Sequence, residues 1–161
     1  MTERFPPQVA EILAAAGWSP GRRDEERARE WALRIAADAT PDGRQHVMTT
    51  AAVQAYAEFG GLRLHPQGEG EQIAPSDIHL DPFRVRHCVE TLAELASVTG
   101  APLSPLGEEG DGTGILAIDE QGRVFVLDHT GDWFLGESVD EALGTLLLGR
   151  QPSRVREDGS W

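Results

Sequence analysis

The run Ile115-Leu116-Ala117-Ile118-Asp119-Glu120-Gln121-Gly122-Arg123-Val124-Phe125-Val126-Leu127 sets two short apolar stretches on either side of a polar turn that ends in glycine. Unbroken apolar runs of four or five residues bounded by turn residues read as strands covered on both faces. The spacing between them predicts a tight hairpin. Residues 131–136 suit a third strand beside it. Trp133, Phe134 and Leu135 are consecutive there, and side chains alternate along a strand, so either the sheet is covered on both sides or one aromatic is left exposed.

Outward from this sheet the pattern is helical. Ser138-Val139-Asp140-Glu141 matches a capping box and leads into Ala142, Leu143, Leu146 and Leu147, with Gly149 as the stop. Upstream, Asp81 as N-cap and Pro82 at the first position predict one helix carrying Val85, Val89, Leu92, Leu95 and Ala96 to Gly100. Between that helix and the hairpin, residues 103–106 read as extended and 107–112 as a polar loop. Short strands are expected at 62–65 and 78–80, joined by a loop over 66–75. Three further helices are expected at the N-terminal end. One follows Pro6-Pro7 and ends at Gly17, a second follows Asp24, and a third is capped by Thr50 and stopped by Gly60-Gly61. The fold class is therefore α+β: a mixed or mainly antiparallel sheet backed by helices, in a single domain over residues 1–149. Residues 150–161 are polar and without period, and are expected as a mobile tail.

The 161 residues fit one core. Lys plus Arg number 14 against 27 Asp plus Glu, a formal net charge of -13. Binding nucleic acid rests on neutralising phosphates with cations, so no direct nucleic-acid role is expected; a basic protein partner suits this charge better. No run approaches the length that spans a bilayer, so no membrane role is expected. Residues 1–7 lack the apolar stretch of a signal peptide, and the single Cys88 cannot form an internal disulfide. These features point to the cytoplasm.

Several phrases in order resemble the third subgroup of the SUKH superfamily of bacterial immunity proteins. They are Ala16-Gly17-Trp18-Ser19-Pro20-Gly21-Arg22, Phe59-Gly60-Gly61-Leu62, Asp81-Pro82, Leu106-Gly107, Ile118-Asp119-Glu120-Gln121-Gly122-Arg123-Val124 and Gly136-Glu137-Ser138-Val139-Asp140-Glu141-Ala142-Leu143. The resemblance covers roughly residues 5–149. It implies an α+β fold and a protein that binds a cognate toxin domain and blocks it, and it carries over no catalytic residues. Residues 40–55 are less phrase-like, and those after Gly149 have no counterpart in the resemblance.

Other chemistries find little support. His79, Asp81, His87 and Cys88 are possible metal ligands in one segment, yet His87 and Cys88 are adjacent, so a helix would point them about 100° apart. Cys88 with His129 as base lacks an orienting third group. Glu108-Glu109-Gly110-Asp111-Gly112 departs from the calcium-loop pattern, and the nearby glycines lack a Walker lysine. No cofactor, metal or catalytic residue is expected. Acidic residues Glu108, Glu109, Asp111, Asp128 and Asp132 are expected to steer a basic partner, and Trp133 or Phe134 to anchor it. The alternatives are an intracellular protein-binding scaffold of the same fold and, more remotely, a small metal-dependent hydrolase.

Overall fold

A computed structural model describes residues 3–161. Its strands are β1 (Arg63–Leu64), β2 (Ile78–His79), β3 (Leu103–Glu109), β4 (Gly114–Asp119), β5 (Val124–Asp128), β6 (Gly131–Gly136) and β7 (Ser153–Arg154). They form one sheet in chain order, and every neighbouring pair is antiparallel. The helices are α1 (Pro7–Ala15), α2 (Glu25–Ala37), α3 (Thr50–Phe59), α4 (Val89–Thr99) and α5 (Val139–Leu148). The α+β class is as expected, and the sheet is wholly antiparallel rather than mixed.

The hairpin follows from its residues. Asp119 is fully buried at the end of β4, and its carboxylate accepts from the Gln121 and Arg123 N–H groups, each at 2.9 Å, and from Arg123 Nε at 2.6 Å. One side chain thereby satisfies the turn. Leu116 and Ile118 enter a core with Val124, Val126 and Leu135, while Ala117 enters a second core with Phe125 and Leu127. The unbroken apolar runs thus reflect a sheet covered on both faces.

α1, α3 and α5 cover the first face, and Val9 and Leu13 of α1 are fully buried in that core. The N-terminal helix is therefore part of the domain. Trp18 meets Phe5 edge to face at 5.4 Å and donates from Nε1 to Glu58, while Arg22 donates to the Glu58 and Gly60 carbonyls. These contacts explain why a Trp and an Arg follow α1. α2 packs on α3 and begins at Asp24, whose carboxylate accepts from the Arg27 N–H. The second face is covered by α4, by a 3₁₀ turn at Pro82–Val85 and by the C-terminal segment.

Four local expectations change. The Asp81-Pro82 start yields only the 3₁₀ turn, and α4 begins afresh at Val89. The Arg86 carbonyl, which a continuous helix would use internally, instead accepts from His46 Nε2 at 2.6 Å. The cap of α3 is Thr49 rather than Thr50; Thr49 keeps an extended backbone and accepts from the Ala52 N–H. Gly61 has the left-handed φ of +87° expected of the glycine pair, but Gly60 has φ -57°. Gly60 is small for another reason: a Cβ there would lie 2.4 Å from the Tyr56 carbonyl oxygen and 2.9 Å from the Trp31 ring. Residues 107–109, expected in a polar loop, extend β3, because β2 pairs with Glu108 and Glu109.

Residues 150–161, expected as a mobile tail, are packed. β7 pairs with β6, the Val155 N–H donates to the Asp132 carbonyl at 2.9 Å, and Val155 is buried. Trp161 meets Phe125 edge to face at 5.6 Å, under the guanidinium of Arg123 at 5.2 Å.

Candidate functional site

Cross-strand register decides which acidic residues meet. Glu109 pairs with Gly114 across β3 and β4, and Gly114 pairs with Asp128 across β4 and β5. Directly opposed residues share a face, so Glu109 and Asp128 project on the same side, separated only by a glycine that has no side chain. Trp133 joins them from β6 through its pairing with Val126.

These three residues line a cleft of about 190 Å³ between residues 73–76, β5, β6 and α5. Its apolar wall comes from Ile73, Val126, Leu135 and Leu146. The outer wall is a loop that would otherwise have no reason to be ordered. The Glu71 N–H donates to the Leu148 carbonyl at 2.8 Å, and the Gln72 and Ile73 N–H groups donate to the Gly149 carbonyl at 2.8 and 2.9 Å. The free carbonyls that end α5 are thus satisfied by the loop, and an Arg150–Glu71 pair at 2.8 Å reinforces the join.

Inside the cleft the indole of Trp133 is oriented by a short relay. Its Nε1 donates to Thr130 Oγ1 at 3.1 Å, and the Thr130 hydroxyl and N–H both donate to the Asp128 carboxylate. Partial burial would raise the Asp128 pKa, but these hydrogen bonds outweigh it and hold the group below its ordinary value. Glu109 is raised, first by burial and then by the facing Asp128 charge. The two carboxyls are pushed apart, so Glu109 holds its proton to higher pH while Asp128 stays ionised.

Residues 5–149 match the family model described as SUKH-3 immunity protein. The chain belongs to the SUKH-3 immunity protein family. No curated protein and no solved structure matches it. The matched span includes residues 40–55, and the packed C-terminal segment of this SUKH-3 member lies outside it.

The remaining candidate residues do not join the cleft. Glu108 and Glu109 are neighbours in β3 and so face opposite sides of the sheet. Glu108 is only 6% exposed and ion-paired with Arg84. Together with Asp111, Arg63, His65, Asp77 and His79 it lines a smaller hollow of about 90 Å³ on the second face. Asp132 precedes Trp133 on β6 and pairs with Leu127, so it projects to the second face; burial raises its pKa, Arg154 opposes this, and Asp128 and Glu94 add to it. Phe134 is half-buried beneath Trp161, so in the SUKH-3 member it serves the second core.

The other candidate ligands and nucleophiles are dispersed. Asp81 caps the 3₁₀ turn, His87 is exposed, and Cys88 is buried in the second core, where burial raises the thiol pKa. His129 sits in the exposed turn after β5. Among the described residues no group of three His, Cys, Asp or Glu side chains is placed to hold a metal ion, and no helix is long and apolar enough to cross a membrane. Among the cleft residues missed from the sequence are Ile73, Thr130, Leu146 and Arg150. Ile73 left one signal, an apolar residue within a polar loop.

Proposed function

We propose that this immunity protein binds a cognate toxin domain in the cytoplasm and blocks it sterically and electrostatically, without catalysis of its own. The observation that carries the reading is the cleft in which Glu109, Asp128 and Trp133 meet, on a chain of net charge -13 that belongs to an immunity family. An aromatic wall with carboxylates at its rim suits a basic protein surface, because the apolar part gives lifetime and the charges speed encounter. Asp111, Asp132 and Glu108 lie outside the cleft and would contribute to the long-range field rather than to contact.

Co-expression with candidate toxin domains from the native host tests this. Restored growth and a stoichiometric complex, with an association rate that falls steeply between low and moderate salt, is the expected result. No complex with any such domain, together with recovery of an unrelated cellular protein, would favour a scaffold instead. Stoichiometric bound metal and hydrolytic turnover would favour the enzyme. Charge reversal at Glu109, Asp111, Asp128 and Asp132 should slow association about tenfold or more, whereas Trp133→Ala should mainly speed dissociation.

A further inference from the structure

The cleft is too small for a free ligand of ordinary size, since such sites begin at about 300 Å³, yet it is well shaped for one protruding side chain. Its walls combine three properties. Val126, Leu135 and Leu146 make it apolar within, Trp133 supplies an aromatic surface held by Thr130, and Glu109 and Asp128 place two carboxylates on one side. Among the described residues no Arg or Lys forms an ion pair with either carboxylate; only the neighbouring His129 acts on Asp128, by its charge when protonated. Among the described residues the Glu109 carboxyl has no ion pair and no hydrogen-bond donor, the Asp128 carboxylate is held by Thr130 with the Trp133 indole beside it, and the lining Arg150 is committed to Glu71. The same indole already carries a guanidinium of this chain, Arg154, 5.5 Å from its ring centre.

We propose that this cleft receives one arginine side chain from the partner, its guanidinium against Glu109 and Asp128 and its methylene stem along Trp133 and Leu146. A planar, delocalised guanidinium can address two carboxylates at once while its stem lies along an aromatic face, whereas a lysine ammonium is a single point charge. The proposal rests on the reading that the chain binds a basic protein partner, and it names the contact that would serve as the centre of that interface. Burial and the facing Asp128 raise Glu109, so docking of a cation drives its proton into solvent. Affinity therefore rises with pH across the interval above the ordinary glutamic acid value.

The test is an NMR titration of the full chain with the capped tripeptide acetyl-Gly-Arg-Gly-amide, following the indole N–H of Trp133 assigned by its disappearance in Trp133→Phe. The expected result is a saturable shift of that signal, absent with the citrulline tripeptide and about tenfold weaker in Glu109→Gln. Equal shifts from arginine and citrulline, or from arginine and lysine, would overturn the arginine assignment. Glu109→Lys supplies an internal cation and should abolish the shift; its fold is checked by circular dichroism, with Glu109→Gln as the isosteric control. Toxin rescue separates the two levels. If Glu109→Gln and Glu109→Lys rescue growth as well as the wild type, the cleft is not the interface though the immunity reading stands. A chain that binds the arginine peptide but forms no complex with the toxin domain would sink that reading and leave the cleft's chemistry intact.

Discussion

The indole of Trp161 lies flat against the ring of Phe134, with centroids 4.5 Å apart and 16° between the planes. Trp161 thus closes the second core from 27 positions beyond Phe134. Trp161→Ala removes this stack, the edge contact with Phe125 and the platform under Arg123. A half-buried aromatic with three such partners is worth about 2 kcal/mol. Thermal unfolding followed by circular dichroism should show a clear fall in Tm, and removal of residues 151–161 should lower it further. An unchanged Tm in both would show that the segment does not contribute to the second core.

Asp119 is the next sensitive position. Its carboxylate serves two backbone N–H groups and Arg123 Nε from a fully buried site, so Asp119→Ala leaves three donors without their acceptor. The expected loss is about 3 kcal/mol in urea denaturation. Asp119→Asn should recover part of it, because the amide oxygen still accepts in the turn.

Gly60 and Gly17 separate two reasons for glycine. Gly60→Ala would drive its Cβ into the Tyr56 carbonyl and the Trp31 ring at an ordinary φ, and should cost about 2 kcal/mol or more. Gly17→Ala meets nothing within 4 Å but must hold φ +103°, and should cost about 1 kcal/mol. Equal losses in chemical denaturation would contradict the close-approach account of Gly60.

Glu109 gives a pH dependence with a definite sign. Its folded pKa is raised, so the folded chain holds this proton more firmly than the unfolded chain does. The associated stability is fully present below the ordinary value of 4.5 and is lost as pH rises through the folded value. Glu109→Gln cannot lose a proton. Its stability relative to the wild type should therefore increase with pH over that window, as read from denaturation midpoints at a series of pH values. A constant difference would remove Glu109 as a titrating group of the cleft.

Leu33 is a control. It falls within the α2 pattern but is 73% exposed, so Leu33→Ser should change stability by no more than about 0.5 kcal/mol.

Local chemistry made much of this protein readable in advance. The hairpin around Asp119, the capping box at Ser138 and the cap N–H groups of the stop glycines at 100 and 149 are satisfied by neighbours within a few residues, so their signals lie in the order of the chain. The two-sided sheet was likewise visible as unbroken apolar runs. The break before α4 was not, because the group that diverts the Arg86 carbonyl is His46, forty positions away. For the same reason, residues 150–161 carried no period. Their packing comes from pairing with β6 and from one terminal tryptophan, neither of which needs amphipathic spacing.

The candidate site divides along the same line. Sequence alone marked Glu108, Glu109, Asp111, Asp128, Asp132, Trp133 and Phe134 as acidic and aromatic material for a partner, but it could not sort them. Strand register did, by sending Glu108 and Glu109 to opposite faces, opening a gap at Gly114 between Glu109 and Asp128, and placing Phe134 under Trp161. Residue type and spacing therefore determined the elements, their ends and the acidic character of the surface, since these depend on contacts within a turn or two. Only the tertiary structure decided which charges share a cleft, because that depends on which strands become neighbours.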